Sequence, residues 1–364
     1  MRNARRRIAA AIGAAVLSGT AGRAEIPAER AYRTEEVGPG VYAFVSPETN
    51  GPIPSGNVVA VVGDEGVLVV DSGRFPALAR RIAADIRQRT PQPVRYVVHT
   101  HWHLDHIVGD EELRKAFPGL QVVGTSFTRA KILEKQVAYL RDVAKNDAGY
   151  VAQIDALVAK GKRDDGSPLP EDLLRYLRAE SRDIRLEAEE LAGASVVPPD
   201  LTFDRALTVH LGKREVRVAF LGAGNTAGDT VVEVPDAKVV VTGDLLVAPV
   251  PYGYGCHPKE WIATLAKLAA MDARAIVPGH GAVMHDWEYA RKVSSLLEAI
   301  RTQVADAVRA GASLEETHRR VDVESFRTAF AGDDYGRRRA FSDFFVRSAV
   351  ERAYQEAKGS LAEE

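Results

Sequence analysis

The sequence predicts an α+β protein, on two observations. Short β-rich runs fill two parts of the chain, about residues 35–125 and again from residue 201 onward. Helical periodicity dominates two others, about residues 126–195 and the chain beyond residue 280. Periodicity alone predicts this mixture of elements and no particular arrangement of them in layers.

The first β-rich part is predicted to contain five strands and one helix. Valine-rich runs predict strands over 41–45, 58–62, 67–70, 94–98 and 120–123. Leu78, Ile82 and Ile86 recur every four residues and predict a helix over 75–88. The loop 47–56 is rich in Pro, Gly and Ser, and we expect it near the mouth of a site.

The segment 126–195 is predicted as a helical hairpin inserted between two strands. Apolar residues lie on one helical face before residue 161, and Leu177, Ile184 and Leu191 recur every seven residues later. Two interpretations of the hairpin are considered. It either packs as an accessory element, which could also form an oligomer, or acts as a lid over a substrate pocket. The sequence favours neither.

The second β-rich part is predicted to contain strands over 207–211, 216–221, 231–234 and 239–241. A loop rich in Pro, Gly and Tyr follows, and a helix begins at Pro258. Further helices are predicted beyond residue 280, one of them starting at a capping box formed by Ser313 and Glu316.

Four of the nine histidines lie within eight residues, directly after the strand predicted at 94–98. In an extended backbone His101 and His103 point to the same side, so both imidazoles can reach one cation. If the chain turns after them, Asp105 and His106 can face a second cation close by. Imidazole and carboxylate are ligands that zinc accepts, so this stretch predicts a metal site.

The pattern His-x-His-x-Asp-His at a strand end resembles the signature of the metallo-β-lactamase superfamily. Three further motifs of that family occur in the same order and at matching separations. They are Val67-Leu68-Val69-Val70-Asp71-Ser72-Gly73, Val239-Val240-Val241-Thr242-Gly243-Asp244-Leu245 and Ile276-Val277-Pro278-Gly279-His280-Gly281. The resemblance spans about residues 35–290 and implies an αββα sandwich. The helical insertion at about 126–195 and a helical extension over 291–364 would be additions to it.

The resemblance also implies ligands for one or two zinc ions. The first metal position would contain His101, His103 and Asn225, the second would contain Asp105, His106 and His280, and Asp244 would bridge them. In this family the metals usually bind and activate a water, and Asp105 would orient that water as well as bind metal.

Asn225 stands where the family has a third histidine. An amide oxygen is neutral and a poorer zinc donor than imidazole, so we expect the second metal position to bind zinc more tightly than the first. Thr226 and Asp229 are expected to hold the loop that carries Asn225. Asp71 is expected to hydrogen bond a ligand histidine or its loop, with a turn at a strand end as the equally favoured alternative.

Tyr252 and His257 lie in the loop after Asp244, which lines the mouth of the active site in the family the chain resembles. Both are candidate substrate contacts. For His257 a surface position is the favoured interpretation, at about two to one, over contact with metal or substrate.

Residues 1–24 are predicted as a secretory signal peptide. Four arginines precede an apolar, alanine-rich run over 8–17, and small residues follow to Ala24. The apolar run is too short for a comfortable membrane span. We therefore expect an exported, soluble protein of the periplasm that begins near Glu25.

Charge and cysteine content exclude several classes of protein. The chain has 48 Lys and Arg against 50 Asp and Glu, and removal of five arginines with the signal peptide would leave a net charge of about −7. That balance argues against nucleic acid or an anionic membrane as a partner. Cys256 has no second cysteine with which to form an internal disulfide. No later apolar stretch approaches the length of a membrane helix.

The function predicted from these features is a zinc-dependent hydrolase that cleaves an amide, ester, thioester or lactone bond in a small molecule. Export makes β-lactams and lactones substrates to consider. Two alternatives remain: an iron-dependent, dioxygenase-type oxidoreductase of the same fold, or a metal-binding protein that has lost catalysis. His103 counts against one redox branch, the diiron reductases, which have Glu at that position.

Overall fold

The valine-rich runs form two sheets that pack face to face. The computed structural model describes residues 31–48 and 54–361. The predicted signal peptide, residues 1–24, lies outside the described residues, as does the middle of the loop predicted at 47–56. Among the described residues no helix is long and apolar enough to cross a membrane.

In the described part of the chain the first sheet has seven strands, whose spatial order follows their order in the sequence. Its strands are β1 (Arg33–Gly38), β2 (Val41–Val45), β3 (Val58–Val62), β4 (Val67–Val70), β5 (Val94–Val98), β6 (Gln121–Thr125) and β7 (Leu201–Phe203). The first four pair antiparallel, and β4 to β7 are parallel. Parallel pairing places the carboxyl ends of β4, β5 and β6 at one edge.

The second sheet, as far as the chain is described, has five strands in the order β12-β11-β10-β9-β8. They are β8 (Ala206–Leu211), β9 (Arg214–Phe220), β10 (Thr230–Val234), β11 (Val239–Val247) and β12 (Ala275–His280). Only the pair β11 and β12 is parallel, so these two strands also end at a common edge.

Helices cover the outer face of each sheet. They are α1 (Pro76–Arg89), α2 (Leu104–Ile107), α3 (Asp110–Ala116), α4 (Ser126–Lys131), α5 (Val137–Lys160), α6 (Glu171–Leu191), α7 (Pro258–Ala269), α8 (Glu288–Arg309), α9 (Leu314–Arg320), α10 (Glu324–Ala331), α11 (Tyr335–Arg339) and α12 (Arg347–Lys358). Two π-helical segments, Ile132–Gln136 and Ala340–Val346, join α4 to α5 and α11 to α12.

Three apolar clusters define the layers. The inner cluster lies between the sheets and joins residues such as Val59 and Leu68 of the first sheet to Val216 and Val232 of the second. A second cluster packs α1, α5 and α6 against the first sheet, and a third packs α7, α8 and α12 against the other. Burial of apolar side chains in all three stabilises the stack. The predicted αββα sandwich, with its helical insertion and C-terminal helices, is confirmed.

Local predictions agree with the structure wherever the pattern was regular. Strands β2 to β5 begin and end at the predicted residues, and α5 and α6 form the predicted hairpin between β6 and β7. Ser313 and Glu316 form the predicted capping box. β11 is longer than predicted, because its buried pattern continues through Gly243 and Asp244, where the bulged pairing with β12 begins.

Candidate metal centre

Strand ends from both sheets bring six of the seven predicted ligand residues together, all except Asn225. Directly after β5, His101 and His103 turn their rings toward each other, with 3.0 Å between His101 Nε2 and His103 Nδ1. The chain then turns into α2, which carries Asp105 and His106. From the second sheet, β11 supplies Asp244 and β12 ends at His280.

The three donor atoms predicted for the second metal position lie close together, like corners of one tetrahedron. His280 Nε2 is 2.9 Å from Asp105 Oδ2 and 3.3 Å from His106 Nε2, which is itself 3.4 Å from Asp105 Oδ2. Zinc binds nitrogen and oxygen at about 2.0–2.1 Å, which places neighbouring ligand atoms of a tetrahedron about 3.3 Å apart. The observed separations fit that geometry.

Asp244 faces both sets of histidines. Its Oδ1 lies 3.2 Å from His106 Nε2 and 3.5 Å from His280 Nε2, whereas its Oδ2 lies 3.6 Å from His101 Nε2. The two oxygens of one carboxylate are thus directed to different donor groups, as a bridging ligand requires. Gly279 permits this approach, because a Cβ there would lie 2.0 Å from Asp244 Oδ1.

The surroundings of His106 suit a cation. Its Nδ1 lies 2.8 Å from Asp71 Oδ2, and in the tautomer that donates from Nδ1 to this carboxylate, Nε2 carries a lone pair that could bind a metal. That lone pair faces oxygens of Asp105 and Asp244 and the Nε2 of His280. Only a proton or a metal ion can hold these electron-rich atoms together. The donor set suits zinc.

The electrostatics agree with this assignment. Burial lowers the pKa of His101, and lowers that of His103 to about 4, so both imidazoles are neutral at pH 7 and can donate to a metal. Burial also lowers the pKa of His106, but Asp244 and Asp105 outweigh burial and raise this pKa well above the usual value, so Nε2 holds a proton in the place that a metal ion would take. The two carboxylates have pKa values below their usual range despite burial, because His106 favours their charged forms.

Asp71 hydrogen bonds both His106 and the loop before it. It accepts hydrogen bonds from the backbone N–H and the hydroxyl of Thr100, each at 2.8 Å, besides the one from His106. Asp71 has a φ of 58°, a conformation that few non-glycine residues adopt. A side chain with three such bonds fixes both the histidine ring and the loop before it.

The stretch 99–110 is closed at its ends by a buried pair. His99 Nε2 lies 2.6 Å from Asp110 Oδ2, and both side chains are fully buried. The loop between them, which carries four of the predicted ligands, is therefore tied at its base.

Asn225 is fully buried, and its loop is held as predicted. Thr226 donates through its hydroxyl and its N–H to Asp229, at 2.7 and 2.9 Å. Neither polar atom of the Asn225 amide has a hydrogen-bond partner among the described residues. Burial of an amide without hydrogen bonds costs free energy, so the Asn225 amide is available to an ion. The structure shows no hydrogen bond from this amide to His101 or His103.

Tyr252 and His257 were the candidate substrate contacts in the loop after Asp244. Tyr252 lies beside the candidate metal centre, whereas the position predicted for His257 is wrong. The Tyr252 ring is 5.9 Å from the ring of His103, and burial raises the pKa of its hydroxyl. The surface position favoured for His257 is wrong, since the residue is buried. Its N–H donates to Gly224 O and its carbonyl accepts from the N–H of Trp261, so it joins the Asn225 loop to the start of α7.

A cavity of about 580 Å³ opens beside the centre, with His103, Asp105 and His280 in its wall. The insertion contributes Gln136, Tyr139 and Tyr176, so it lines the cavity whether or not it moves. The C-terminal helices contribute Asp334, Gly336, Arg337, Ala340 and Phe344.

Sequence reasoning missed two groups of cavity residues. The C-terminal wall could not be read from local patterns, because α11 reaches the cavity only through tertiary packing. Arg74 had a usable signal: it follows Asp71-Ser72-Gly73 directly at the end of a strand whose aspartate was already assigned to the centre.

Comparisons with known proteins agree with this geometry. Residues 52–280 match the model of the Metallo-beta-lactamase superfamily. A curated linear primary-alkylsulfatase from Pseudomonas sp. (strain ATCC 19151) is 28% identical over 249 residues, which cover 66% of this chain and 44% of that protein. The chain thus spans less than half the length of this relative.

Solved structures show the same fold. A metallo-beta-lactamase from Pontibacter korlensis is 21% identical, with a TM-score of 0.52, over 73% of this chain and 99% of that one. The stereoselective inverting sec-alkylsulfatase Pisa1 from Pseudomonas sp. is 16% identical, with a TM-score of 0.61, over 89% of this chain and 50% of that one.

Proposed function

The chain belongs to the metallo-beta-lactamase superfamily, and on that premise we propose that it is a zinc-dependent hydrolase of small molecules. One observation carries the proposal: imidazole and carboxylate donors from both sheets converge at tetrahedral separations beside a cavity large enough for a small molecule. An iron-dependent oxidoreductase would need a different metal and an oxygen-dependent reaction, and no feature of the described residues favours it.

We assign the second metal position to Asp105, His106 and His280, and the first to His101 and His103 with Asn225, with Asp244 between them. When bound, zinc supplies a water whose pKa is lowered to about 7 and polarises the oxygen of the bond under attack. Asp105 lines the cavity and would orient the attacking water by accepting its hydrogen bond. Tyr252, whose hydroxyl stays protonated, is a donor in the same wall.

The two positions are proposed to bind zinc unequally. The second has two imidazoles and a carboxylate of its own, whereas the first has two imidazoles and a neutral amide. A single tightly held zinc ion can still activate a water, so unequal binding is compatible with catalysis.

Ester-type substrates are the first to test. The curated relative acts on linear primary alkyl sulfates by name, and the alkylsulfatase fold matches a larger share of this chain than the β-lactamase fold does. Fold likeness alone does not transfer a substrate, so amides, thioesters and lactones, including β-lactams, stay in the panel.

The test combines metal analysis with a substrate panel. We expect zinc in the purified protein, hydrolysis of at least one substrate among an alkyl sulfate, nitrocefin, a lactone and a thioester, and loss of that activity on chelation. Asp105→Asn should lower kcat by about 10²- to 10⁴-fold, because the group that orients the water is changed. Glu215→Gln, at a partly exposed carboxylate of the second sheet, is the matched control and should leave kcat unchanged. Iron with oxygen uptake, or no hydrolysis by zinc-loaded protein, would refute the proposal.

A further inference from the structure

Arg74 is a largely buried cation in the cavity wall, next to the candidate metal centre. It lies in the loop between β4 and α1 and lines the cavity beside His103, Asp105 and His280. Its side chain is 15% exposed. Burying a guanidinium costs free energy unless its charge and its donors are used, so its contacts are informative.

The contacts of Arg74 use part of its donor capacity. One terminal nitrogen, Nη1, donates to Glu187 of α6, and the other, Nη2, lies 3.7 Å from Asp105 Oδ1. Its Nε is buried and has no hydrogen-bond partner among the described residues. A guanidinium has five N–H donors in a rigid fork, and the single hydrogen bond to Glu187 leaves other N–H groups of the two terminal nitrogens available to a ligand in the cavity.

Asp105 gives Arg74 its position relative to the reaction. Oδ2 of Asp105 faces His280 and His106, and Oδ1 faces Arg74. Only the carboxylate of Asp105 thus separates the guanidinium from the proposed metal position. A ligand group held by Arg74 would lie next to the bond that is exposed to the activated water.

Arg337, the other arginine in the cavity wall as described, offers an internal comparison. Its Nε and Nη2 donate to the two oxygens of Glu48 at 2.6 and 2.7 Å. That bidentate pair is half-exposed and satisfies both partners. The nearby carboxylate of Asp334 accepts from the backbone N–H of Arg337. The fork of Arg337 is thus occupied by both oxygens of Glu48, whereas Arg74 makes one hydrogen bond, to Glu187, and a longer contact with Asp105.

We propose that Arg74 is the substrate-recognition residue of this cavity and binds an oxyanionic group that adjoins the bond to be cleaved. The inference rests on the proposed hydrolase function and narrows its substrates to anionic ones. Sulfate and carboxylate groups share the required chemistry, because planar guanidinium donors match paired anionic oxygens. Glu187 holds the guanidinium from the side of the helical insertion, so the insertion would contribute to specificity by positioning Arg74.

The experiment measures binding of a ligand that cannot be hydrolysed. Zinc-loaded protein is titrated calorimetrically with 1-octanesulfonate, octanoate and, as the uncharged counterpart, 1-octanol. In Arg74→Met the affinity for whichever anion binds the wild type should fall by about 10- to 100-fold, while that for 1-octanol stays within about two-fold, because hydrogen bonds to a charged group are lost and apolar contacts are kept. Arg74→Lys should retain part of the affinity, since it keeps a point charge without the fork.

Arg337→Met is the matched control and should bind the anion within about two-fold of wild type, since its charge is already paired. Zinc content is measured for every variant, because Arg74 contacts Asp105, and affinities are compared at equal zinc content. Equal losses for anion and 1-octanol, no loss in Arg74→Met, or a larger loss in Arg337→Met would each overturn the assignment. Protein that binds 1-octanesulfonate through Arg74 yet hydrolyses nothing would contradict only the proposed hydrolase function.

Discussion

Replacement of Gly56 by alanine is expected to weaken zinc binding without any change to a ligand residue. Gly56 precedes β3, and its N–H donates to Asp105 O at 3.0 Å. A Cβ at this position would lie 2.5 Å from Cε1 and 2.7 Å from Nδ1 of His106, and 2.9 Å from Asp105 O. Carbon atoms in contact are separated by about 3.5 Å, so the ring of His106 would have to move by about 1 Å.

His106 cannot move that far and keep its role. Its ring is fully buried, and its Nδ1 is held by Asp71 at 2.8 Å. Metal–ligand distances tolerate about 0.2 Å, several times less than the required displacement. We therefore expect Gly56→Ala to lower the zinc affinity of the second position by about 10- to 100-fold, the range seen when the support of a ligand is lost. Overpacking should also lower the free energy of unfolding by about 1–3 kcal/mol.

Gly149→Ala is the matched control. Gly149 lies within α5, and a Cβ there meets no atom within 4 Å. That variant should bind zinc as the wild type does, and alanine in a helix interior should stabilise the metal-free protein by about 0.5–1 kcal/mol. Competition with a zinc chelator measures the affinity, and thermal unfolding of the metal-free proteins measures stability. Wild-type zinc affinity in Gly56→Ala would show that His106 is not a ligand or that its ring can retreat, and either result refutes the reasoning.

Four further outcomes are expected. Asp71→Asn should lower zinc affinity by about 10- to 100-fold, because a neutral amide supports His106 and Thr100 less well; an unchanged chelator titration would contradict this. Asn225→His should raise zinc bound at moderate concentration from one ion to two, and two equally tight ions in the wild type would contradict unequal sites. Zinc at about 100 times its Kd should raise the free energy of unfolding by about 2.7 kcal/mol over that of the metal-free form, measured as a higher Tm that chelation reverses. An unchanged Tm would show that zinc does not bind the native state. N-terminal sequencing of protein from the native host should find a start near Glu25, whereas recovery of intact Met1 would contradict export.

The sequence by itself predicted the elements and the candidate ligands whose spacing is local. Strands β2 to β5 were predicted to the residue, because valine-rich runs bounded by turn signals depend on backbone preferences of neighbouring residues. The His-x-His-x-Asp-His stretch was assigned to metal for a similar reason: side-chain direction along a strand and its following turn is fixed over a few residues. Asp71 was recognised by its place at a strand end.

The tertiary structure alone decided which distant surfaces meet. His257 has nothing in its sequence neighbourhood that marks it as buried, yet it is buried in the folded chain, where its N–H donates to Gly224 O. The pairing of Arg74 with Glu187 joins residues 113 positions apart, and the pair of Arg337 with Glu48 spans 289. Periodicity specifies which face of a helix is apolar, but the partner of that face depends on how all three apolar clusters pack at once. The wall of the cavity, and with it the recognition of a substrate, is therefore a property of the folded chain.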